Sequence, residues 1–377
     1  MDNKLKVVQL SSVHPAFDTR IFFKICTSLK NAGCSVDLII QHKNDEVVNG
    51  INIYSLPIAQ KKLDRPLKVI PKLFLKCIAY GKDTIFHFHD PELIPVGLLL
   101  KVFGYKVIYD VHENVPKDVL SKDWLPVKLR ALISKWIDRL EQYCVSKFDA
   151  VIVVTPEIKS RLDSQRTIMV QNFPIVQEKI NEVSKSSKDY LFYIGDITLI
   201  RGIKEMINSL YIVNKKKDHP IRLKLGGKFS PESLHAKMKN EKGWEYVDFI
   251  GWLSREELKK IAENAIAGFV LFHPVPSHIN AQPNKLFEYM LEELPVIASD
   301  FPLWERFIND NKSGILVNPN NTEEIADAVI KLIENPDEAK KMGKNGRSAI
   351  LSKYNWKSEE EKLLRLYRSL NKCEVNN

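Results

Sequence analysis

The stretch from Asn280 to Pro302 reads NAQPNKLFEYMLEELPVIASDFP, and it predicts a loop, a helix and a buried strand in succession. Pro283 and Asn284 stand at the predicted helix start, because proline tolerates the first helical turn and asparagine is a common N-cap. The apolar residues recur at helical spacing; they are Leu286, Phe287, Met290 and Leu291. Pro295 ends the helix, and the apolar run 296–298 is typical of a strand.

The polar residues at this helix start carry chemical information. The first turn should present free N–H groups near Lys285 and Leu286, and the helix dipole favours an anion there. The dipole disfavours a cation at this end, so a bound phosphate would account for Lys285. Glu288 lies one turn further along the same face and could accept hydrogen bonds from two ribose hydroxyls. From these residues alone, a nucleotide site and an ordinary capped helix with a Lys–Glu surface pair both remain open.

Composition limits the class of protein. The chain has 377 residues, more than one ordinary domain needs, with 44% hydrophobic and 27% charged residues, as in globular proteins. No apolar run reaches the roughly 20 residues that span a bilayer, and the start MDNKLKVVQLSS reads as a strand, so we expect a cytoplasmic protein. Five scattered cysteines argue against a disulfide framework or a zinc site. The net charge of +9 indicates an anionic partner.

Strands alternate with helices along the whole chain. A strand over 5–10, a helix that Asp18 could cap and a strand over 36–40 make a βαβ unit. No G-x-G-x-x-G follows the first strand, which weighs against a dinucleotide-dependent oxidoreductase. Further strands are predicted at 84–90, 106–110, 150–155, 190–195, 223–228 and 269–272. The pattern predicts an α/β protein with parallel sheets.

Polar residues follow several of these strands, and in α/β folds functional groups collect at the carboxyl ends of strands. The candidates at these ends are His14, Asp18, His89, Asp90 and His112. Alternation places His87 inside its strand, which favours a structural role. The histidines lack a complete ligand set with zinc spacing, and the chain has no D-x-D, so we expect no metal.

The opening stretch resembles the nucleotide-sugar site of retaining glycosyltransferases of family 4, also described as glycosyl transferases group 1. The family pattern has two glutamates separated by seven residues and then P-V-I-A. Glu288 matches the second glutamate, Asn280 stands at the first, and 295–298 read PVIA. The segments H-P-x-x-D-x-R-I-F, H-x-H-D-P-E and Y-D-V-H-E-N are also similar to family segments. The resemblance implies the GT-B fold, two facing Rossmann-like domains with parallel sheets and a donor cleft between them.

The resemblance also implies a domain organisation. Residues 1–175 would form an N-terminal acceptor-binding Rossmann-like domain, and 176–188, rich in Lys, Glu and Ser, would be the linker. Residues 189–355 would form the C-terminal domain that binds the nucleotide-sugar. Residues 356–377 would form a C-terminal helix that crosses back to the N-terminal domain.

Site residues are carried over by position. The segment 195–202 resembles G-R-x-x-x-x-K-G, with Arg201 in place of the lysine and Asp196 in place of the arginine, and Lys285 would compensate for the lost charge. The implied catalytic positions are His112 and Asn280. The implied donor-binding set is Arg201, Asn284, Lys285, Leu286, Glu288, Gly227, Trp252 and Leu253, and the implied acceptor or phosphate loop is His14, Asp18, His89 and Asp90.

The resemblance implies a retaining hexosyltransferase that uses a UDP-hexose or UDP-N-acetylhexosamine and a hydroxyl acceptor. The leaving diphosphate would help to deprotonate the acceptor, and neither a cofactor nor a metal would be needed. Family habit and the basic charge favour a lipid-linked glycan as acceptor, in the assembly of O-antigen, lipopolysaccharide or capsule. The enzyme would then work on the inner face of the membrane.

Two other functions remain open from the sequence. One is a GT-B-type epimerase of UDP-sugars, which would share the nucleotide site. The other is a non-catalytic basic protein that binds a membrane or nucleic acid; we rank it last and expect no nucleic-acid partner. The basic, partly amphipathic segments 60–82 and 117–147, the latter with Trp124 and Trp136, could each lie on an anionic membrane or be ordinary solvated helix faces.

Overall fold

A computed structural model describes residues 4–61, 63–122, 125–162, 164–176, 189–217, 219–253 and 255–372. The chain divides into two compact units. The first comprises Met1–Asn172 together with Trp356–Asn377, and the second comprises Phe173–Asn355. The predicted linker, 176–188, lies outside the described residues except for Val176.

The first unit is built on an eight-stranded sheet. Its strands are β1 (Lys6–Leu10), β2 (Ser35–Gln41), β3 (Glu46–Val48), β4 (Ile51–Leu56), β5 (Ile85–Phe88), β6 (Lys106–Val111), β7 (Ala150–Val153) and β8 (Thr167–Met169). The strand order is β3-β4-β2-β1-β5-β6-β7-β8. All neighbours are parallel except β3, which pairs antiparallel with β4 at the sheet edge. The sequence analysis missed this short edge hairpin.

Helices cover both faces of this sheet. They are α1 (Thr27–Asn31), α2 (Ile70–Cys77), α3 (Ile94–Val102), α4 (Val115–Leu120), α5 (Val127–Val145) and α6 (Pro156–Arg161). A π-helical segment, Thr19–Cys26, runs directly into α1. As predicted, Asp18 caps it, because its carboxylate accepts the N–H groups of Arg20 and Ile21 at 2.8 and 2.9 Å.

The strand order places two polar loops side by side. β1 lies between β2 and β5, and Leu10 at its end is in register with Ile39 and Phe88. The pairing continues one step beyond the strands, where the His89 N–H donates to the Leu10 carbonyl at 3.1 Å. The carboxyl ends of these parallel strands therefore bring 11–14 and 89–90 together at one edge of the sheet.

The second unit holds a six-stranded, fully parallel sheet. Its strands are β9 (Tyr190–Ile197), β10 (Arg222–Phe229), β11 (Val247–Gly251), β12 (Gly268–Val270), β13 (Val296–Ser299) and β14 (Gly314–Val317), in the order β11-β10-β9-β12-β13-β14. Its helices are α7 (Ile203–Lys215), α8 (Ser233–Met238), α9 (Arg255–Glu263), α10 (Asn284–Leu291), α11 (Pro302–Ile308), α12 (Thr322–Glu334) and α13 (Pro336–Ser352). Apolar clusters fill both faces of the sheet.

Glycine is required where β9 and β10 run closest together. Gly227 has φ +130°, and a Cβ there would lie 1.9 Å from the carbonyl oxygen of Gly195. Gly195 itself has φ +123°. A side chain at Gly227 would separate the two strands at their carboxyl ends, so this edge of the sheet keeps a bare backbone surface.

The last helix, α14 (Trp356–Lys372), belongs to the first unit. Trp356 is 4% exposed, and its indole N–H donates to the Ser28 hydroxyl at 2.9 Å. Tyr367 reaches the sheet, where its hydroxyl accepts the Gln9 amide N–H at 3.0 Å and lies 2.7 Å from His87 Nδ1. The helix therefore completes the core against β1 and α1.

The fold class predicted from the sequence is confirmed: both units are α/β with parallel sheets. The main departure is the antiparallel edge strand β3. Among the described residues, no helix is both long enough and apolar enough to cross a membrane.

We predict that Trp356→Ala lowers the free energy of unfolding of the first unit by about 3–5 kcal/mol, because a large buried ring leaves a cavity. The matched control is Trp136→Ala, since Trp136 is 63% exposed and its loss should cost under about 0.5 kcal/mol. Urea denaturation followed by circular dichroism measures both. Equal effects of the two substitutions would contradict the docking of α14.

Candidate functional site

A short loop after β9 positions Arg201 in the second unit. The loop makes a 3-10 turn, Leu199–Arg201, and Gly202 follows in the left-handed conformation with φ +76°. A Cβ at Gly202 would lie 2.2 Å from the Leu271 carbonyl oxygen, so only glycine lets the loop pass so close. The guanidinium of Arg201 then lies beside the end of β9, 5.5 Å from the Phe272 ring.

Lys285 belongs to the first turn of α10, but its side chain turns inward. The residue is 8% exposed, and its Nζ lies 3.8 Å from the centroid of the Tyr193 ring and 5.5 Å from that of Phe272. Within the described part of the chain, Nζ has no hydrogen-bond partner. Burial, followed by the charge of Arg201, lowers the pKa of Lys285 well below its ordinary value, although Asp196 and Glu288 act in the opposite direction.

The two cations converge on Gly195. An ideal Cβ on this glycine would lie 3.2 Å from Lys285 Nζ and 4.0 Å from Arg201 Nη1. Arg201 Nη1 also lies 3.2 Å from the Asp196 carboxylate, whose side chain is 61% exposed. A solvated carboxylate compensates a buried positive pair only weakly, because water screens it. The arrangement can therefore bind a further anion between Arg201 and Lys285.

The remaining predicted donor residues take different positions. Glu288 and Asn284 are exposed on α10, Asn280 is half-buried in the preceding turn, and Trp252 is 77% exposed. Leu253 packs over Gly226, next to Gly227. Leu286 is a correction: its side chain is fully buried, and its N–H donates to the Pro283 carbonyl at 3.1 Å, so the prediction of a free N–H there is wrong. The first turn closes on itself because Pro283 supplies an acceptor three residues earlier.

In the first unit, Asp90 organises the loop after β1. Its Oδ2 accepts the Ser12 N–H at 2.6 Å and the Ser11 hydroxyl at 2.8 Å, and its Oδ1 lies 2.9 Å from His14 Nδ1. Burial alone would raise the pKa of Asp90, but His14 and the serine donors outweigh it and lower the pKa to about 2. Burial also acts to lower the pKa of His14, yet Asp90 raises it above the ordinary 6.5.

A second buried carboxylate, Asp110 at the end of β6, holds a longer network. It accepts two hydrogen bonds from Arg20, at 2.7 and 2.8 Å, and lies 3.1 Å from His89 Nδ1. The other ring nitrogen of His89 lies 2.8 Å from Gln9 Oε1, and Gln9 continues to Tyr367. Burial would raise the pKa of Asp110, but Arg20 and His89 hold it well below its ordinary value.

His112 lies between these two networks. Its ring centroid is 5.0 Å from that of His14 and 6.3 Å from that of His89. Among the described residues its Nδ1 has no hydrogen-bond partner. Burial lowers the pKa of His112 to about 4; Asp110 opposes this shift, and His14, His89 and Arg20 reinforce it. His112 is therefore a neutral imidazole at neutral pH, able to donate or accept one hydrogen bond.

The structure also brings ligand-type atoms of His87, His89 and Asp110 within 4.8 Å of one another. Both nitrogens of His89 and both oxygens of Asp110 already have protein partners. The donor set is thus engaged in hydrogen bonds and an arginine ion pair, which does not suit a cation. His87 points into the interior, where Nδ1 meets Tyr367, in line with the structural role expected of it.

The predicted residues thus form two groups, one in each unit. Arg201, Lys285 and the glycines gather at the end of β9, while His14, His89, Asp90 and His112 gather at the ends of β1, β5 and β6. Asp18 contributes its carboxylate to the helix cap. Sequence reasoning missed several residues that shape the two groups: Gln9, Ser11, Ser12, Tyr193 and Phe272. Ser11 and Ser12 could have been found, since they follow β1 directly, whereas the aromatic floor under Lys285 leaves no sequence signal.

Two family models match the chain. The Glycosyltransferase Family 4 model matches residues 19–170, and the Glycosyl transferases group 1 model matches residues 176–349. Together they cover both units and most of the chain. The protein therefore belongs to the glycosyltransferases of the GT-B fold, the family 4 and group 1 enzymes, which use nucleotide-sugar donors.

Individual relatives are more distant. The poly(ribitol-phosphate) alpha-N-acetylglucosaminyltransferase of Staphylococcus aureus is 26% identical over 239 residues, which are 61% of this chain and only 46% of the relative. Sucrose-phosphate synthase from Thermosynechococcus elongatus has a similar structure, with a TM-score of 0.76 at 19% identity, covering 97% of this chain and 99% of that one. HepE from Anabaena, in complex with UDP and glucose, gives a TM-score of 0.72 at 12% identity over 97% and 100% of the chains.

We predict that Lys285→Met raises the free energy of unfolding of the second unit in the absence of ligands by about 1–3 kcal/mol, because an unpaired buried amine is replaced by an apolar chain of similar length. Lys228→Met is the control, since Lys228 is exposed in the same unit and should change stability by under about 0.5 kcal/mol. Urea denaturation measures both. A destabilised Lys285→Met protein would show that the amine is favourably placed without an anion.

Proposed function

We propose that the protein transfers a hexosyl or N-acetylhexosaminyl group from a UDP-sugar to a hydroxyl acceptor, with retention at the anomeric carbon. The observation that carries the proposal is the convergence of Arg201 and Lys285 on Gly195, in a member of a family that uses nucleotide-sugars. The S. aureus relative is named for the transfer of N-acetylglucosamine, and the structure of HepE was determined with UDP and glucose.

The donor diphosphate binds between the two cations. A diphosphate oxygen placed beside Gly195 would be within reach of Lys285 Nζ and Arg201 Nη1, since both atoms lie within 4.0 Å of its Cβ direction. Its charge offsets the cost of burying Lys285 and relieves the repulsion between the cations. As the sugar leaves, negative charge grows on the diphosphate, so the same two groups stabilise the transition state. Asp196 is exposed and releases Arg201 at little cost.

The rest of the donor lies along α10 and the imidazole group. Glu288, exposed one turn into α10, accepts hydrogen bonds from the two ribose hydroxyls. His112, neutral and with an unpartnered Nδ1 among the described residues, binds a hydroxyl of the transferred sugar, and Asn280 hydrogen-bonds near the same sugar. We propose that the transfer needs neither a metal nor a cofactor, because Arg201 and Lys285 supply the positive charge that a metal would bring.

The acceptor in this proposal is a lipid-linked glycan of surface polysaccharide assembly, and the protein binds the membrane peripherally. One face of α5 supports this. Its exposed apolar side chains recur at helical spacing; they are Leu129, Leu132, Trp136, Leu140 and Tyr143. Lys128, Lys135 and Arg139 are exposed along one side of this stripe. Apolar rings beside cations suit an anionic lipid surface. Trp124, which precedes α5, lies outside the described residues.

We predict that UDP raises the thermal midpoint without added magnesium, because a ligand that binds only the folded state adds about 2.7 kcal/mol at a hundredfold excess over its Kd. A panel of UDP, GDP and ADP, each with and without magnesium, tests the base and the metal together. Glu288→Ala should weaken UDP binding about 10- to 100-fold through lost charged hydrogen bonds. Glu338→Ala, an exposed glutamate of α13, is the control. Unchanged affinity in Glu288→Ala would remove the ribose contact.

We predict that the protein sediments with vesicles of phosphatidylglycerol and phosphatidylcholine but not with phosphatidylcholine alone. Reversing Lys128, Lys135 and Arg139 to Glu should abolish binding, since each cation near an anionic surface contributes about 1 kcal/mol. The matched control reverses three exposed lysines of α13, Lys340, Lys341 and Lys344, to Glu. Equal loss in both triple variants would mean that total charge decides binding, and no vesicle binding by the unaltered protein would contradict the membrane role.

A further inference from the structure

His14 and Asp90 form a hydrogen-bonded pair that the proposed donor site does not use. His14 lies in the loop after β1 and Asp90 directly follows β5 with His89. The Nδ1 of His14 is 2.9 Å from Asp90 Oδ1, and the Asp90 side chain is only 3% exposed. The other oxygen of Asp90 is held by Ser11 and Ser12. The carboxylate is therefore fixed, and it fixes the ring in turn.

This geometry determines which nitrogen of His14 can do chemistry. A carboxylate accepts but does not donate, so the proton of neutral His14 resides on Nδ1 and the lone pair on Nε2. The ring contacts of His14 with Asp90 and Ser11 both use Nδ1. The His14 side chain is 23% exposed, in contrast to the fully buried His89. An incoming hydroxyl can thus meet a lone pair that is oriented from behind by a buried carboxylate.

The neighbouring charges favour His14 over His112 as the proton acceptor. His14 faces Asp90, Asp18 and Glu113, which all stabilise an imidazolium, and the ring of His112 at 5.0 Å. Their combined effect raises the pKa of His14, whereas burial lowers that of His112 to about 4. A general base works best when its pKa lies near the working pH. Only one of two rings so close can take a proton readily, and the acids select His14.

We propose that His14 is a catalytic base of the transfer and that Asp90 is its positioning residue. The acceptor oxygen forms a bond to the anomeric carbon while its proton passes to His14 Nε2. The bond from that carbon to the diphosphate oxygen breaks, and its electron pair leaves with the diphosphate. Asp90 stabilises the imidazolium, which returns its proton to solvent. The inference rests on the proposed transferase function and assigns to His14 a proton that the family resemblance gives to the leaving diphosphate.

The test uses UDP release from UDP-N-acetylglucosamine and from UDP-glucose, with water as the acceptor. A base acts in its deprotonated form, so kcat/KM should fall as the pH drops through a pKa above 6.5. His14→Gln should lower kcat about 10²- to 10⁴-fold and abolish this acid limb. Imidazole added to His14→Ala should restore part of the rate. His42→Gln, the same substitution at another partly exposed histidine of the first unit, is the control.

Asp90→Asn provides the second readout. Without the carboxylate charge the pKa of His14 falls, so the acid limb should move to lower pH while the plateau rate drops. A merely structural Asp90 would reduce the plateau without moving the limb, which would overturn its positioning role. UDP affinity, measured by calorimetry, should be unchanged in His14→Gln. Normal kcat and an intact acid limb in His14→Gln overturn the base, whereas failure of the unaltered protein to bind UDP or release it overturns the transfer itself.

Discussion

The buried ion pair between Asp110 and Arg20 is the interaction on which the first unit depends. Asp110 is fully buried at the end of a central strand, and Arg20 reaches it from the helical segment after β1 with two hydrogen bonds. Arg20 also donates to the Val170 carbonyl at 3.1 Å. One guanidinium thus ties the loop of β1 to β6 and to the end of the sheet. Removing either partner would leave an uncompensated buried charge, which typically costs about 3–5 kcal/mol.

This pair also sets the electrostatics of the imidazole group. Asp110 orients His89, and the network passes through Gln9 to Tyr367, so His89 has no nitrogen left for a ligand. The charge of Asp110 is balanced mainly by Arg20, and His112 therefore remains neutral beside it. His14, supplied with a carboxylate of its own, behaves in the opposite way. Two acids at the ends of adjacent strands thus give neighbouring histidines different protonation behaviour.

The second unit follows a different principle. Lys285 and Arg201 lie near one another with only an exposed carboxylate as compensation, an arrangement that disfavours the empty protein and favours an anion. Glycine at 195, 202 and 227 makes the close approaches possible, since side chains there would meet backbone or the Lys285 amine. Stability is given up where a ligand can restore it, as is common at functional sites.

Much of this could be predicted from the sequence, because strand-forming apolar runs and helix signals are local. The ends of those strands then identified His14, Asp90 and His112. The partnerships could not be predicted, since whether His14 meets Asp90 depends on the register of β1 and β5. The inward turn of Lys285 depends on the rings of Tyr193 and Phe272, which lie on other elements. The closed first turn of α10 was missed because a proline carbonyl, with no signature of its own, accepts the Leu286 N–H.

The place of α14 has a consequence for the order in which the protein folds during synthesis. The ribosome makes β1 to β8 first, then the whole second unit, and only afterwards the helix that carries Trp356 and Tyr367. Until then Gln9 and His87 lack the hydroxyl that pairs with them, and the apolar face beside α1 has no cover. The second unit can reach its native state while translation is still under way. The unit that is translated first is therefore the one that is finished last, and it depends on the cell to keep its open face from aggregating in the meantime.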